Sequence, residues 1–146
     1  MNTVAQILAS KPDQTVYTMA PSASAHEAVR LMAEKNIGAL VVVEHGQVVG
    51  LVSERDYARK LVLMARSPTD TPLGDIMSSP VMYVRPHQTI DECMALMTQN
   101  RMRHLPVMDG GQLIGLISIG DLVKATISEQ QFIIEQLEHY ITGQRG

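Results

Sequence analysis

A chain of 146 residues with a formal charge of −3 and no run of Lys or Arg is long enough for one domain that buries about two thirds of its unfolded surface. It lacks the electrostatic footprint of a nucleic-acid surface, and one Phe with no Trp leaves few base-stacking platforms. A single cysteine excludes an internal disulfide. No run reaches the roughly 18 apolar residues of a membrane span, and the first residues lack the basic-then-apolar order of a signal peptide. A soluble, unprocessed, cytoplasmic protein is the expectation.

Val4, Ile7 and Leu8 stand at one-turn spacing within residues 2–9 and predict a short helix, with Leu73 to Met77 as its later counterpart. Thr15 to Thr18 reads as a short strand ended by the turn Ala20-Pro21-Ser22. Ser24 with Glu27, and Thr89 with Glu92, have capping-box spacing and mark two helix starts. Ala28, Leu31, Met32 and Ile37 trace the apolar stripe of the first helix; Cys93, Leu96, Met97 and Met102 trace that of the second. On that stripe Cys93 reads as a small buried hydrophobe. Ala39 to Val43 and Gln47 to Val52 form a hairpin about Glu44-His45-Gly46; Leu105 to Met108 and Gln112 to Ile117 form another about Asp109-Gly110-Gly111. Arg66 to Pro72, with two prolines among polar residues, reads as a linker, and after Lys124 a helical pattern continues through Phe132, Ile133, Ile134, Leu137, Tyr140 and Ile141.

The strongest signal is a duplication. Gly50-Leu51-Val52-Ser53-Glu54-Arg55-Asp56 returns as Gly115-Leu116-Ile117-Ser118-Ile119-Gly120-Asp121, an offset of 65 that also places Pro21 on Pro86 and Leu40 on Leu105 without a gap from Pro21 to Lys60. Two copies of this length indicate a duplicated half-domain rather than a solenoid. The expected fold is therefore α/β (α+β), with two pseudo-symmetric β-α-β-β-α repeats. Residues 1–65 form the first repeat with its N-terminal helix, 66–72 the linker, 73–127 the second repeat, and 128–146 a C-terminal helical extension.

No nucleophile elbow, Walker loop or Cys/His ligand spacing occurs, and the five His do not form a metal-ligand pattern. An enzyme is not expected. The Gly-x-x-Ser-x-x-Asp pattern has a chemical reading: a helix N-terminus with a Ser hydroxyl suits a phosphate, and an Asp one turn later can accept two hydrogen bonds from a ribose diol. It has a structural reading as well, in which Ser caps the helix and Asp favours its positive end.

The duplicated half, this signature, and Arg103-His104-Leu105-Pro106-Val107 in the second copy together resemble a pair of CBS domains, the Bateman module, over nearly the entire chain. The resemblance implies two clefts between the repeats, the motif Asp on ribose, the motif Ser near phosphate, and adenine against apolar groups of the opposite repeat. By that analogy one cleft uses Ser53, Arg55 and Asp56 and is lined by Met82 and Met102. The other uses Ser118 and Asp121, with Tyr17, Ile37, Gly38 and Ala39 around adenine and Arg103 and His104 near phosphate. Arg103 also has a plainer reading, as a surface ion-pair partner. The implied function is a stand-alone bacterial-type sensor of energy or redox state. It would bind AMP, ADP or ATP, with NAD at the Asp56 cleft, and signal to an unidentified effector protein through ligand-dependent packing of its repeats. A homodimer is expected, because the C-terminal apolar stripe exceeds what a final helix leaves in water. The alternative is a ligand-independent structural dimerisation module.

Overall fold

The caps lie where the spacing puts them. In the computed structural model, which describes residues 2–142, Ser24 precedes α2 (Ala25–Lys35) and Thr89 precedes α4 (Ile90–Asn100), each hydroxyl accepting the amide of the Glu three residues on. The box is completed at Thr89 and Glu92, whereas at α2 the Glu27 carboxylate accepts the Ser24 hydroxyl at 3.2 Å rather than its amide; a further capping box, Thr3 with Gln6, opens α1 (Val4–Ser10). The remaining elements are β1 (Thr18–Met19), β2 (Ala39–Glu44), β3 (Gln47–Ser53), α3 (Glu54–Met64), β4 (His104–Asp109), β5 (Gln112–Ser118) and α5 (Ile119–Thr142). Asn36 and Arg101, one repeat apart, end α2 and α4 in the left-handed conformation. The chain divides into two compact units: Thr15–Met82, and Met1–Gln14 together with Tyr83–Gly146.

In the unit Thr15–Met82, β2 lies between β1, to which it is parallel, and β3, to which it is antiparallel. Ala39 to Val42 are all buried without alternation, as a strand covered on both faces requires. Leu40 and Val42 pack with Ala25, Ala28 and Met32 of α2, Val52, Leu61 of α3, Leu73 and Ile76. Strand β1 is later and shorter than the sequence suggests, because the parallel ladder holds only where Thr18 and Met19 face Val41 and Val42. Residues 66–72 are not a loose tether. Thr71 is buried, its hydroxyl donates to Ser67 O at 2.8 Å, and its carbonyl accepts the Ala25 amide at 2.8 Å.

The second unit repeats this frame. β4 and β5 pair antiparallel with a bulge at Val107/Met108, one repeat after that at Val42/Val43. Its third strand is reduced to a single parallel bridge, Val84 to Val107, in the register of Met19 on Val42. Besides α4 and α5, α1 packs on this unit: the amides of Val4 and Ala5 donate to Gln88 O and Pro86 O at 2.8 and 2.9 Å. In the first unit the amides of Leu73 and Gly74 donate to Ala23 O and Pro21 O at 2.8 and 3.0 Å. Each leading segment thus packs on the repeat that it does not precede, so the compact units cut the chain differently from the sequence-order boundaries 1–65 and 73–127.

The reason lies in two glycines. A side chain on Gly115 in β5 would occupy the space of Leu8 from α1, and one on Gly50 in β3 would occupy that of Met77. The signature glycine therefore admits a covering side chain. Helix α5 runs unbroken across residue 128; Leu122 is buried near its start, whereas every residue from Gln130 to Ile141 is exposed.

Candidate functional site

β3 ends in an extended Ser53 (φ −117°, ψ 165°), and α3 starts at the next residue. The Ser53 hydroxyl accepts the Asp56 amide at 3.1 Å, while Asp56 Oδ2 accepts both the Ser53 amide and its hydroxyl at 3.1 Å. In the second repeat Asp121 Oδ2 accepts the Ser118 amide at 2.9 Å, and Ser118 Oγ accepts the Asp121 amide at 3.1 Å. Each Ser and Asp close a capping box, so the structural reading of the signature is realised in both copies. It does not exhaust the carboxylates. In both, Oδ2 makes the cap and Oδ1 accepts no hydrogen bond among the described residues. Each Asp side chain is 22% exposed. A carboxylate has about four lone-pair sites, so acceptor capacity remains for a ligand.

A lysine approaches each carboxylate by a different route. Lys60, one turn along α3, places Nζ 3.7 Å from Asp56 Oδ1 and donates to Ile76 O at 2.7 Å. Its counterpart in α5 is Ala125. There the cation is Lys11, the C-cap of α1, whose Nζ lies 3.0 Å from Asp121 Oδ2 and 2.9 Å from Leu116 O. The spacing of Asp56 and Lys60 is a readable (i, i+4) pair; Lys11 lies 110 residues from Asp121, and no local pattern announces it.

The other candidates fall into two groups inside the units. Ala39 is paired with Ser53, and the Gly38 carbonyl accepts the Glu54 amide at 3.0 Å, so Gly38 and Ala39 stand at the start of α3. Ile37 and Tyr17 are half-buried against the same core, and Lys35 Nζ lies 5.7 Å from the Tyr17 ring centre. Met82, half-buried, is the last residue of this unit. In the second unit His104 pairs with Ser118, and the Arg103 carbonyl accepts the Ile119 amide at 2.8 Å. Arg103 and His104 thus stand at the start of α5 with Ser118 and Asp121, beside a half-buried Met102. Arg103 is exposed and Arg55 half-buried, and neither forms an ion pair among the described residues.

Cys93 is buried on α4, and burial, with Glu92 beside it, pushes its thiol up to about 11. It is no thiolate nucleophile at neutral pH. Among the described residues no three or more of His, Cys, Asp and Glu gather into a metal-binding group, and no helix is long and apolar enough to cross a membrane.

A family model for the CBS domain matches residues 4–63 and again 73–128. The CBS domain-containing protein CBSX3, mitochondrial, of Arabidopsis thaliana is 40% identical over 136 residues, 90% of this chain, and the chain spans 62% of that protein's length. A solved CBS-domain protein from Burkholderia ambifaria is 59% identical with a TM-score of 0.85, covering 88% of this chain and 96% of that one. The CBS domain pair of protein MJ0100, solved with 5′-methylthioadenosine and S-adenosyl-L-methionine, is 24% identical and shares the fold, with a TM-score of 0.76 over 88% of this chain and 98% of that one.

Proposed function

The chain belongs to the CBS domain family, and from that footing we propose that it is a regulatory module of the cytoplasm that binds adenine nucleotide and signals to a partner protein through ligand-dependent packing of its two repeats. A pair of this fold, in protein MJ0100, holds two adenosine compounds. The observation that carries the reading here is the spare hydrogen-bond capacity of each signature carboxylate: in both copies Oδ2 closes the helix cap while Oδ1 accepts no hydrogen bond among the described residues, Asp56 Oδ1 having only the Lys60 ammonium at 3.7 Å. A ribose diol matches that acceptor. We assign AMP, or ADP or ATP, to the Asp121 site with Ser118, Arg103 and His104, and with Tyr17, Ile37, Gly38 and Ala39 toward adenine. We assign NAD to the Asp56 site with Ser53, Arg55, Met82 and Met102. The module would report energy or redox state.

Calorimetric titration with AMP, ATP and NAD tests this. Loss of a charge-assisted hydrogen bond costs about 1.5–3 kcal/mol, so replacing either Asp should weaken its own site about tenfold or more. Because each carboxylate also caps a helix, Asp→Ala should cost about 0.5–2 kcal/mol of stability besides. Asp56→Asn and Asp121→Asn keep one acceptor oxygen for the Ser amide, which separates loss of ligand from loss of cap. The 2′-deoxy nucleotides should bind worse at both sites.

A second reading, a structural dimerisation module with no ligand, is favoured by one observation: both Ser/Asp pairs are complete as caps without any ligand. No heat with any of the three nucleotides, from protein shown free of bound nucleotide, would select it. Under either reading we propose a homodimer through α5, whose residues from Gln130 to Ile141 are all exposed although they include Phe132, Ile133, Ile134, Leu137, Tyr140 and Ile141.

A further inference from the structure

A pocket of about 290 Å³ opens beside Asp121, wholly inside the unit that contains it. One wall is α1 and its C-cap, with Gln6, Ser10 and Lys11; the other is one stripe of α5, with Asp121, Lys124 and Ser128. The spacing of the α5 residues, three and then four, aligns them on one face of the helix. Two lysines, Lys11 and Lys124, thus line the pocket with one carboxylate. Lys11 is engaged with Asp121, while Lys124 forms no ion pair among the described residues, and Asp121 is the sole carboxylate in the lining. Ala125, which also lines the pocket, stands where the first repeat has Lys60. The short side chain keeps the space open where a second helix-borne lysine would fill it.

A net positive pocket touching the ribose-accepting carboxylate suits an anionic group attached to that ribose. Its volume equals that of roughly ten waters at about 30 Å³ each, at the lower limit of about 300 Å³ for a small-molecule site. It has room for the phosphorylated end of a mononucleotide and not for a second nucleoside. A lysine ammonium is a mobile point charge suited to a phosphoryl group whose oxygens it meets one at a time. We infer that this pocket holds the phosphoryl group of the nucleotide whose ribose bonds Asp121, with Lys124 and Lys11 as its cations. The inference rests on the adenine-nucleotide reading given above. It moves the phosphate contact to α1 and α5, away from Arg103 and His104, neither of which lines the pocket.

The test compares adenosine with AMP by calorimetry on the whole chain, in wild type, Lys124→Ala, Lys124→Arg and Arg103→Ala. Lys124 is exposed, so the variants should fold, and melting temperatures serve as the check. In wild type AMP should bind about tenfold or more tighter than adenosine, and rising salt should weaken AMP alone. Lys124→Ala should bring the AMP-to-adenosine ratio below about threefold, and Lys124→Arg, which keeps the charge, should restore most of it. A ratio unmoved by Lys124→Ala overturns the inference and leaves the adenine-nucleotide reading standing, as does a ratio that collapses in Arg103→Ala alone. Binding of neither compound by wild type overturns both.

Discussion

Gly115→Ala tests the exchange of leading segments directly. Gly115 is buried in β5 opposite Val107, and a Cβ built there would lie 2.6 and 2.8 Å from the two Cδ atoms of Leu8 and 3.3 Å from its Cγ. Carbon atoms prefer about 3.5–4.0 Å, so either Leu8 must leave its rotamer or α1 must withdraw by about an ångström. Overpacking of this kind costs about 1–3 kcal/mol, which in a chain of this length lowers the melting temperature by roughly 2–4 °C per kcal/mol. Urea unfolding followed by circular dichroism measures it. The decisive comparison is the cycle with Leu8→Ala. Leu8 is half-buried, so its truncation alone should cost about 1–2 kcal/mol, below the range for a fully buried leucine. The double variant should be more stable than the sum of the singles by about 1 kcal/mol or more, because the new methyl enters space that Leu8 has vacated. Additivity within about 0.5 kcal/mol would show that α1 does not cover β5 through Leu8. Gly50→Ala should cost more, since its Cβ would meet Met77 at Sδ, at Cγ (2.8 Å) and at Cβ (3.0 Å), and a Cβ cannot swing aside.

Cys93, buried with its thiol pushed up to about 11, should react with a thiol reagent only at the rate of unfolding; prompt labelling of the native protein would contradict its burial. Because that folded value lies above the unfolded one, its contribution to stability is whole below about pH 8.5 and is lost as pH rises toward 11, so Cys93→Ala should flatten the alkaline decline. The backbone hydrogen bond from Thr89, followed by the Gln88 side chain, holds the Glu92 carboxyl below its usual range. Its stabilising effect is therefore present above about pH 4.3 and fades as pH falls through the depressed value, and the stability gap between wild type and Glu92→Gln should narrow on acidification; a gap constant with pH would refute it. On α5, Ile127, Ile134 and Ile141 recur every seven residues with Leu137 between, and all four are exposed, the period of a helix pair. Light scattering should give twice 16.0 kDa for wild type and 16.0 kDa for Ile134→Asp with Leu137→Asp; a monomeric wild type at tens of micromolar would end the proposal.

Local chemistry is what the sequence makes legible. The N-caps at Ser24 and Thr89, the hairpins, the helix starts after Ser53 and Ser118, and the burial of Cys93 all depend on neighbours within a few residues, where spacing and side-chain type decide the outcome. The pairing of β1 is longer-range, since Thr18 and Met19 are defined by Val41 and Val42, and its limits shift accordingly. The packing of 66–72 is likewise longer-range than its composition shows. Prolines mark a break in helix and strand, but they do not reveal that Thr71 bonds the start of α2. At the site, Ser53, Asp56, Ser118 and Asp121 are visible from the duplication, and Lys60 from its spacing to Asp56. Lys11 is not, because its partner is set by which unit α1 covers.

That last difference separates the two carboxylates energetically. Asp56 takes its cation from its own helix, so the Lys60 contact persists wherever α3 is formed. Asp121 takes its cation from the cap of α1, and the same segment covers β5 through Leu8 and donates the Val4 and Ala5 amides to Gln88 and Pro86. A ligand bonding Asp121 would have to share Lys11 or draw it away, so its binding free energy would include whatever that does to the last turn of α1; at Asp56 the corresponding cost falls on α3 and on the Lys60 bond to Ile76 O. An effect of ligand on one site can appear at a distance only if it biases an element with two arrangements. In this chain Asp121 is the carboxylate joined to a separate segment, since α1 is held to the rest of its unit by this ion pair, backbone bonds and the packing of Val4, Ile7 and Leu8. Lys11→Met would then separate the two sites: it should loosen α1 in hydrogen exchange and change nucleotide affinity at Asp121, while leaving the affinity at Asp56 within about twofold. Equal changes at both sites would show that the ion pair is not what distinguishes them.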